Sequence, residues 1–276
     1  MLRSALLAAL LLPFLALSAR ADMAAPPPPL MRAAQADIVV IGKVVSIEEK
    51  TVTARRFPGD MDKGEYRIAV VKIESAVLGA KDLTHIRVGY LPAAPNPRRP
   101  PPVQLNKDDE VILFLQPHFE GNFHIAPYYY DGITKKDAKA FDTVVADVKR
   151  AGKLLSDPQA GLNSKEQKDR FETAALLIAR YRTTRPYAGK VSEAAIDAKE
   201  SKLILTALAE ADWGNGQVRW DTLTPAAAFS SLNLRPNDGW TPPQDLGKFP
   251  EAAKKWLKDN AETYRVKKFV YEKAEK

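Results

Sequence analysis

Residues 36–54, ADIVVIGKVVSIEEKTVTA, are the clearest evidence for a β-sheet in this sequence. This stretch is rich in the β-branched residues Ile, Val and Thr and ends in polar residues, a composition typical of a long strand. Residues 65–79, EYRIAVVKIESAVLG, repeat this character with apolar side chains at both alternating sets of positions. Both faces of this second strand are therefore expected to be covered.

Three further stretches continue the strand pattern toward the middle of the chain. They are residues 84–92 (THIRVGYLP), 109–117 (DEVILFLQP) and 122–130 (NFHIAPYYY). A total of about five short strands is compatible with a small, partly open barrel of the oligonucleotide/oligosaccharide-binding (OB) type. Composition alone allows a β-sandwich equally well.

The hydrophobic period changes from two to about 3.6 residues in residues 163–276, which indicates helices. Asp197, followed three residues later by a glutamate, has the spacing of a helix amino-terminal capping box. Pro225 and Pro250 occupy the first helical position, where proline is tolerated. The carboxyl-terminal part is therefore predicted to be an α-helical domain.

A helix between the two parts is predicted to begin at Thr134, because Asp137 lies at the capping-box spacing from it. This helix would close the barrel or bridge it to the next domain. The sequence thus predicts an α+β chain, with a five-stranded OB-like barrel and its closing helix in residues 36–156 and the helical domain in residues 163–276.

The amino-terminal residues have the sequence pattern of an export signal. A basic start precedes an apolar run and the small-residue pattern Ala19-Arg20-Ala21, so residues 1–21 are predicted to be a cleaved signal peptide. Four consecutive prolines then favour an extended tether in residues 22–35. No later stretch is apolar enough to predict a membrane span, and the protein is expected in the periplasm or outside the cell.

The net charge bears on the class of partner, and the cysteine content bears on how the fold is stabilised. Loss of Arg3 and Arg20 with the signal lowers the formal charge from +7 to +5, and this mild excess is spread thinly. Together with export, it argues against nucleic acid as a partner. The chain contains no cysteine, so burial rather than disulfides must stabilise the fold.

The four stretches at residues 36–52, 66–79, 86–95 and 109–125 resemble, in order and spacing, the netrin-like module shared with tissue inhibitors of metalloproteinases. The resemblance covers residues 36 to about 134 and implies an OB-type fold. The inhibitors of that family chelate the zinc of a protease through an amino-terminal cysteine, which this chain lacks. The resemblance therefore implies the fold rather than the known inhibitory contact.

Two histidines flank a glycine turn and raise the question of a metal site. A two-residue turn at Gly121-Asn122 would place His118 opposite Ile125, whereas a three-residue turn from Glu120 would place His118 opposite His124. Zinc sites use three or four protein ligands, and Glu120 is the only further donor nearby. We therefore predict a structural or surface hairpin, with no metal and no cofactor.

Two surface features are candidate binding sites. Residues 92–104, PAAPNPRRPPPVQ, form a rigid cationic loop with Arg98 and Arg99 at its centre, suited either to gripping a partner protein or to serving as a plain connection. Tyr128 and Tyr130 are expected to project together from the last strand. They would offer a stacking surface for a glycan or a peptide, or else fill the core beneath the following helix.

No motif of nucleophilic, phosphate-binding or metalloprotease chemistry is present in the sequence. We therefore predict a non-catalytic exported binding protein, foremost a protein–protein interaction module of the cell envelope or the extracellular space. The alternatives are a module for a glycan or peptide ligand and, by analogy with the netrin-like family, a protease-inhibitor-like protein.

Overall fold

The computed structural model describes residues 26–93, 102–185, 190–214 and 222–271, and it confirms the predicted α+β class. The strands in these residues are β1 (Ile38–Ile47), β2 (Val52–Arg55), β3 (Lys63–Leu78), β4 (His85–Tyr90), β5 (Glu110–Pro117), β6 (His124–Ile125), β7 (Gly132–Thr134), β8 (Val191–Ala195) and β9 (Lys267–Tyr271). The helices are α1 (Pro29–Gln35), α2 (Phe141–Ser156), α3 (Pro158–Leu162), α4 (Gln167–Arg182), α5 (Ala198–Glu210), α6 (Pro225–Ser231) and α7 (Phe249–Asn260).

The first seven strands form one mixed sheet, which has two strands more than predicted. Strand β1 pairs with β3 and β5, β3 pairs with β4, β4 pairs in parallel with β6, and β6 pairs with β5. We call these five strands, whose pairings return to their starting point, the strand ring. The additional strands are short: β2 folds back on the start of β3 after the polar residues 48–51, and β7 pairs with β5.

Strands β1 and β5, whose sequences are almost continuously apolar, bury side chains on both faces. One alternating set, including Val40, Val44 and Leu113, packs inside the strand ring. The other set, which includes Val39 and Phe114, packs against the helices in a second cluster. Because successive strand residues point to opposite sides, each strand supplies two cores at once.

The helix between the two parts begins later than predicted. Thr134 is the last residue of β7 and pairs with Val111, so its backbone belongs to the sheet. Its hydroxyl does donate to Asp137, but residues 135–137 form a single 3₁₀ turn, and α2 starts at Phe141, whose ring is buried. The Thr134–Asp137 spacing therefore marks a turn that precedes the helix.

Two other predicted helix starts are confirmed. The Asp197 carboxylate accepts from the N–H groups of Lys199 and Glu200, at 2.8 and 3.0 Å, at the start of α5. The Thr224 hydroxyl accepts from the backbone N–H of Ala227, with Pro225 as the first residue of α6. Both side chains satisfy backbone donors that a helix leaves unpaired at its amino end.

The predicted tether contains a packed helix instead of a wholly extended segment. Helix α1 begins at Pro29, where the ring imposes a helical φ, and contacts α2 and α4. Ala33 and Ala34 are almost fully buried, because their small side chains allow the helix to approach its neighbours closely. Prolines thus end the extended segment by starting a helix.

An aromatic cluster around Phe229 anchors the carboxyl-terminal part. Trp213, Trp240 and Trp256 lie edge-on to this ring, with centroids 4.7–6.0 Å away. The sequence did not predict the two-stranded antiparallel sheet of β8 and β9, which pairs two segments far apart in the chain. Among the described residues, no helix combines the length and hydrophobicity needed to span a membrane.

Candidate functional site

The histidine hairpin adopts neither of the two predicted registers. Pro117 lies opposite His124, and the N–H of His118 donates to the Phe123 carbonyl, so a four-residue turn joins the strands. This register places Phe123 and Ile125 in a small core together with Tyr66. The predicted three-residue turn differs from this register by one residue, and because a one-residue slip reverses the faces of a strand, it would have turned these apolar side chains outward. The predicted two-residue turn differs by two residues, so it keeps the faces but changes every cross-strand partner.

His118 has a structural role in this turn. Its Nδ1 accepts from the N–H of Gly121 at 2.9 Å, and its Nε2 lies 3.1 Å from the carbonyl oxygen of Arg55. The ring is 5 % exposed, and burial lowers its pKa. The third candidate ligand, Glu120, instead accepts from the backbone N–H of Arg55. The described residues contain no cluster of three potential metal ligands.

Arg98 and Arg99 lie outside the described residues, but both ends of their loop are defined. The side-chain amide of Gln104 donates to the Leu91 carbonyl at 2.9 Å, and the Tyr90 hydroxyl donates to the Leu105 carbonyl at 2.9 Å. These bonds hold the two ends of the loop together beside an apolar pocket of about 250 Å³.

Tyr128 and Tyr130 lie in a turn after β6, whereas the sequence placed them in a strand. Their rings nevertheless stack, with centroids 5.3 Å apart and planes inclined by 17°. The turn is closed by Asp131, whose N–H donates to the Tyr128 carbonyl and whose carboxylate accepts from the Tyr128 N–H. Tyr128 remains 45 % exposed, so the pair offers an accessible aromatic surface.

This tyrosine turn forms one wall of a pocket of about 270 Å³, which we call the arginine–tyrosine pocket. Its polar and aromatic lining comes from α1, the end of β5, the turn and the end of α4. The residues that define it are Arg32, Gln116, Tyr128, Tyr130, Asp131 and Arg182.

Arg32 is the most unusual group in this pocket. Only 7 % of its surface is exposed, its guanidinium carbon lies 4.8 Å from the centre of the Phe114 ring, and Nη1 donates to the Tyr130 carbonyl. Its Nε is buried and has no hydrogen-bond partner among the described residues. Burial lowers the pKa of Arg32, and the nearby Asp131 opposes this shift. An arginine nevertheless stays protonated at neutral pH.

Arg182 reaches the same pocket from the end of α4. Its side chain is 6 % exposed, it forms an ion pair of 2.8 Å with Glu193, and its guanidinium carbon lies 4.4 Å from the centre of the Phe269 ring. The Nε of Arg182 is also buried without a hydrogen-bond partner among the described residues. Two buried guanidinium groups therefore carry an unused donor beside one pocket.

Asp131 is the acidic group of the pocket. It is 5 % exposed, and burial raises its pKa to about 7, although the Tyr128 N–H and Arg32 favour the ionised form. Burial together with Asp131 raises the pKa of the Tyr130 hydroxyl to about 12. Near neutral pH the pocket therefore has a permanent positive charge and a carboxyl group that is only partly ionised.

The sequence identified the two tyrosines but missed Arg32, Asp131 and Arg182. Arg32 lies in the segment predicted as a tether, and Arg182 lies in the part predicted to be an α-helical domain. No local motif joins positions so far apart in the chain, and their proximity arises from the packing of α1 on α4.

Comparison with family models, with curated proteins and with solved structures finds no match for this chain. The netrin-like resemblance remains a prediction from the order and spacing of the strand sequences.

Proposed function

We propose that this chain is a non-catalytic binding protein of the cell envelope or the extracellular space that recognises a peptide segment of a partner protein. The export signal predicted in residues 1–21 supports the location. The arginine–tyrosine pocket supports the activity, because an apolar wall with a few convergent polar groups is typical of a binding site.

The stacked Tyr128–Tyr130 pair beside the pocket is the observation that carries this proposal. Tyrosine supplies a large contact area at a low entropic cost, and its hydroxyl can bond a polar ligand group. The volume of about 270 Å³ is near the lower end of ligand pockets, roughly 300–1,000 Å³. Such a volume suits one or two side chains of a longer ligand that continues over the tyrosines.

A glycan is the second candidate ligand, and the 45 % exposure of Tyr128 favours it. The outer face of an exposed aromatic ring can stack on the apolar face of a sugar. Peptide and glycan differ in the groups that would enter the pocket, so parallel binding assays separate them.

We also propose that the strand ring is an OB-type barrel of the netrin-like kind. The closed order of pairings from β1 through β3, β4, β6 and β5 back to β1 supports this assignment. In that assignment, β2 and β7 are additions to the five-stranded unit.

The test is selection of a random peptide library and a glycan array against the purified protein, with Tyr128→Ala measured in parallel. We expect peptides to be selected and their binding to fall about tenfold in Tyr128→Ala, because an aromatic contact contributes roughly 1–1.5 kcal/mol. Leu246→Ala is the control, since Leu246 is exposed and lines none of the pockets described above. Selection of glycans alone would establish the second candidate, and no selection of either would refute the proposal.

A further inference from the structure

We propose that the arginine–tyrosine pocket binds a carboxylate of the peptide, supplied by its carboxyl terminus or by an acidic side chain, and that Arg32 is the group that holds it. This inference rests on the proposed function, because it specifies which part of a peptide enters the pocket.

The first argument is the unused donor capacity of Arg32. A guanidinium carries five N–H donors, and in the described residues Arg32 uses Nη1 on the Tyr130 carbonyl while Nε is buried without a partner. A buried donor without a partner is costly, particularly on a charged group. A ligand acceptor that reaches Nε removes that cost, whereas an apolar ligand does not.

The second argument is the missing ion pair. Arg32 forms no ion pair with any described residue, unlike Arg182, which pairs with Glu193. Asp131 is the nearby acid and attracts the guanidinium electrostatically, but it makes no ion pair with Arg32, and its carboxylate accepts from the N–H of Tyr128 at 3.0 Å. The Phe114 and Tyr130 rings, at 4.8 and 6.0 Å, contact the guanidinium without neutralising it.

The third argument concerns the shape of the ligand group. A carboxylate is planar and accepts two parallel hydrogen bonds, which matches the fork of a guanidinium. The stacked tyrosines next to Arg32 provide an apolar surface for the residue that carries the carboxylate. A peptide acid therefore fits both parts of the pocket at the same time.

The experiment uses three libraries of amino-terminally acetylated six-residue peptides, captured on the immobilised protein at pH 6 and quantified by mass spectrometry. Library A has a free carboxyl terminus and no acidic residues. Library B has a carboxyl-terminal amide and one glutamate at varied positions. Library C has a carboxyl-terminal amide and no acidic residues. Preferential capture of A identifies the chain terminus as the source of the carboxylate, and preferential capture of B identifies a side chain.

We expect the wild-type protein to retain A or B about 10- to 100-fold more strongly than C, the effect of a hydrogen bond to a charged group. Arg32→Gln should abolish this preference, and Arg32→Lys should reduce it because lysine lacks the planar fork. Arg67→Gln should keep it, since Arg67 is an exposed arginine over the Tyr90 ring and lines none of the described pockets.

Equal retention of C by the wild type would overturn the inference, even if the Arg32 variants do not fold. If the wild type retains library C as strongly as A and B, and Tyr128→Ala no longer retains it, peptide binding at the tyrosines is supported and the carboxylate preference is refuted. If no library is retained, the proposed function and this inference fall together. A preference for A or B that persists in a folded Arg32→Gln variant would remove Arg32 from the site.

Discussion

Replacing Asp131 with asparagine should change how the stability of the protein depends on pH. The pKa of Asp131 is about 7 in the folded protein, against a usual value of 3.8. Because the folded state holds this proton more tightly, the carboxyl group stabilises the fold at low pH. That contribution is lost progressively as the pH rises from about 4 to about 7.

The size of the effect follows from these two pKa values. For a pKa of about 7 in the folded state and 3.8 in the unfolded state, the contribution falls by roughly 2.5 kcal/mol between pH 5 and pH 8. Asparagine does not titrate and keeps a side-chain oxygen that can accept from the Tyr128 N–H. The free energy of unfolding of Asp131→Asn should therefore lack this decrease.

The assay is urea denaturation of both proteins at pH 5, 6, 7 and 8, with the difference in unfolding free energy plotted against pH. Taking the difference cancels the opposite contribution of His118 and His124, whose pKa values burial lowers. Asp82→Asn, at an exposed turn position, controls for the loss of a carboxylate. A constant difference between wild type and Asp131→Asn across this range would refute the assignment of a raised pKa to Asp131.

Three further predictions concern packing, a buried hydroxyl and metal binding. Gly152→Ala should lower the free energy of unfolding by about 1–3 kcal/mol, because the new Cβ would lie 2.5 Å from a methyl carbon of Val77. This loss is expected although alanine normally favours a helix, and a rise in the urea midpoint would contradict it. Ser201→Ala should cost about 1–3 kcal/mol by the same measurement, since the fully buried hydroxyl accepts from the Val266 N–H at 2.8 Å; an unchanged midpoint would contradict it. Zinc should leave the melting temperature unchanged, because both ring nitrogens of His118 have protein partners. A rise in the melting temperature with one equivalent of zinc would instead indicate that the histidine hairpin binds the metal.

The strand sequences predicted much of the β-sheet because their apolar residues are continuous and β-branched. The ring strands β1, β4 and β5 lie within the predicted stretches, and β3 begins two residues before its predicted stretch. The short strands were harder to predict, because a strand of two or three residues is too short to show an alternation of apolar and polar side chains. Strand β6 ends at Ile125, and the three tyrosines that continue its pattern form a turn fixed by the carboxylate of Asp131.

The candidate site was predictable only in its aromatic part. Tyr128 and Tyr130 are neighbours in sequence, so their stacking follows from local geometry. Arg32 and Arg182 line one pocket because α1, in the proline-rich segment, packs against α4. Local patterns report propensity and burial, whereas a contact between distant helices depends on the packing of the whole chain.

The two-stranded sheet of β8 and β9 can form only after nearly the whole chain has been synthesised. Strands β1 to β7 are all present once residue 134 has emerged, whereas Arg182 lies against the ring of Phe269 in the last described strand. The Tyr271 hydroxyl also donates to the carbonyl of Thr183, another residue of the pocket. A nascent chain or a truncated fragment that ends before β9 therefore contains strands β1 to β7 and every lining residue of the pocket, but it lacks the ring that packs on Arg182 and the hydroxyl that bonds Thr183. This wall of the pocket is supported only after the seven-stranded sheet is complete.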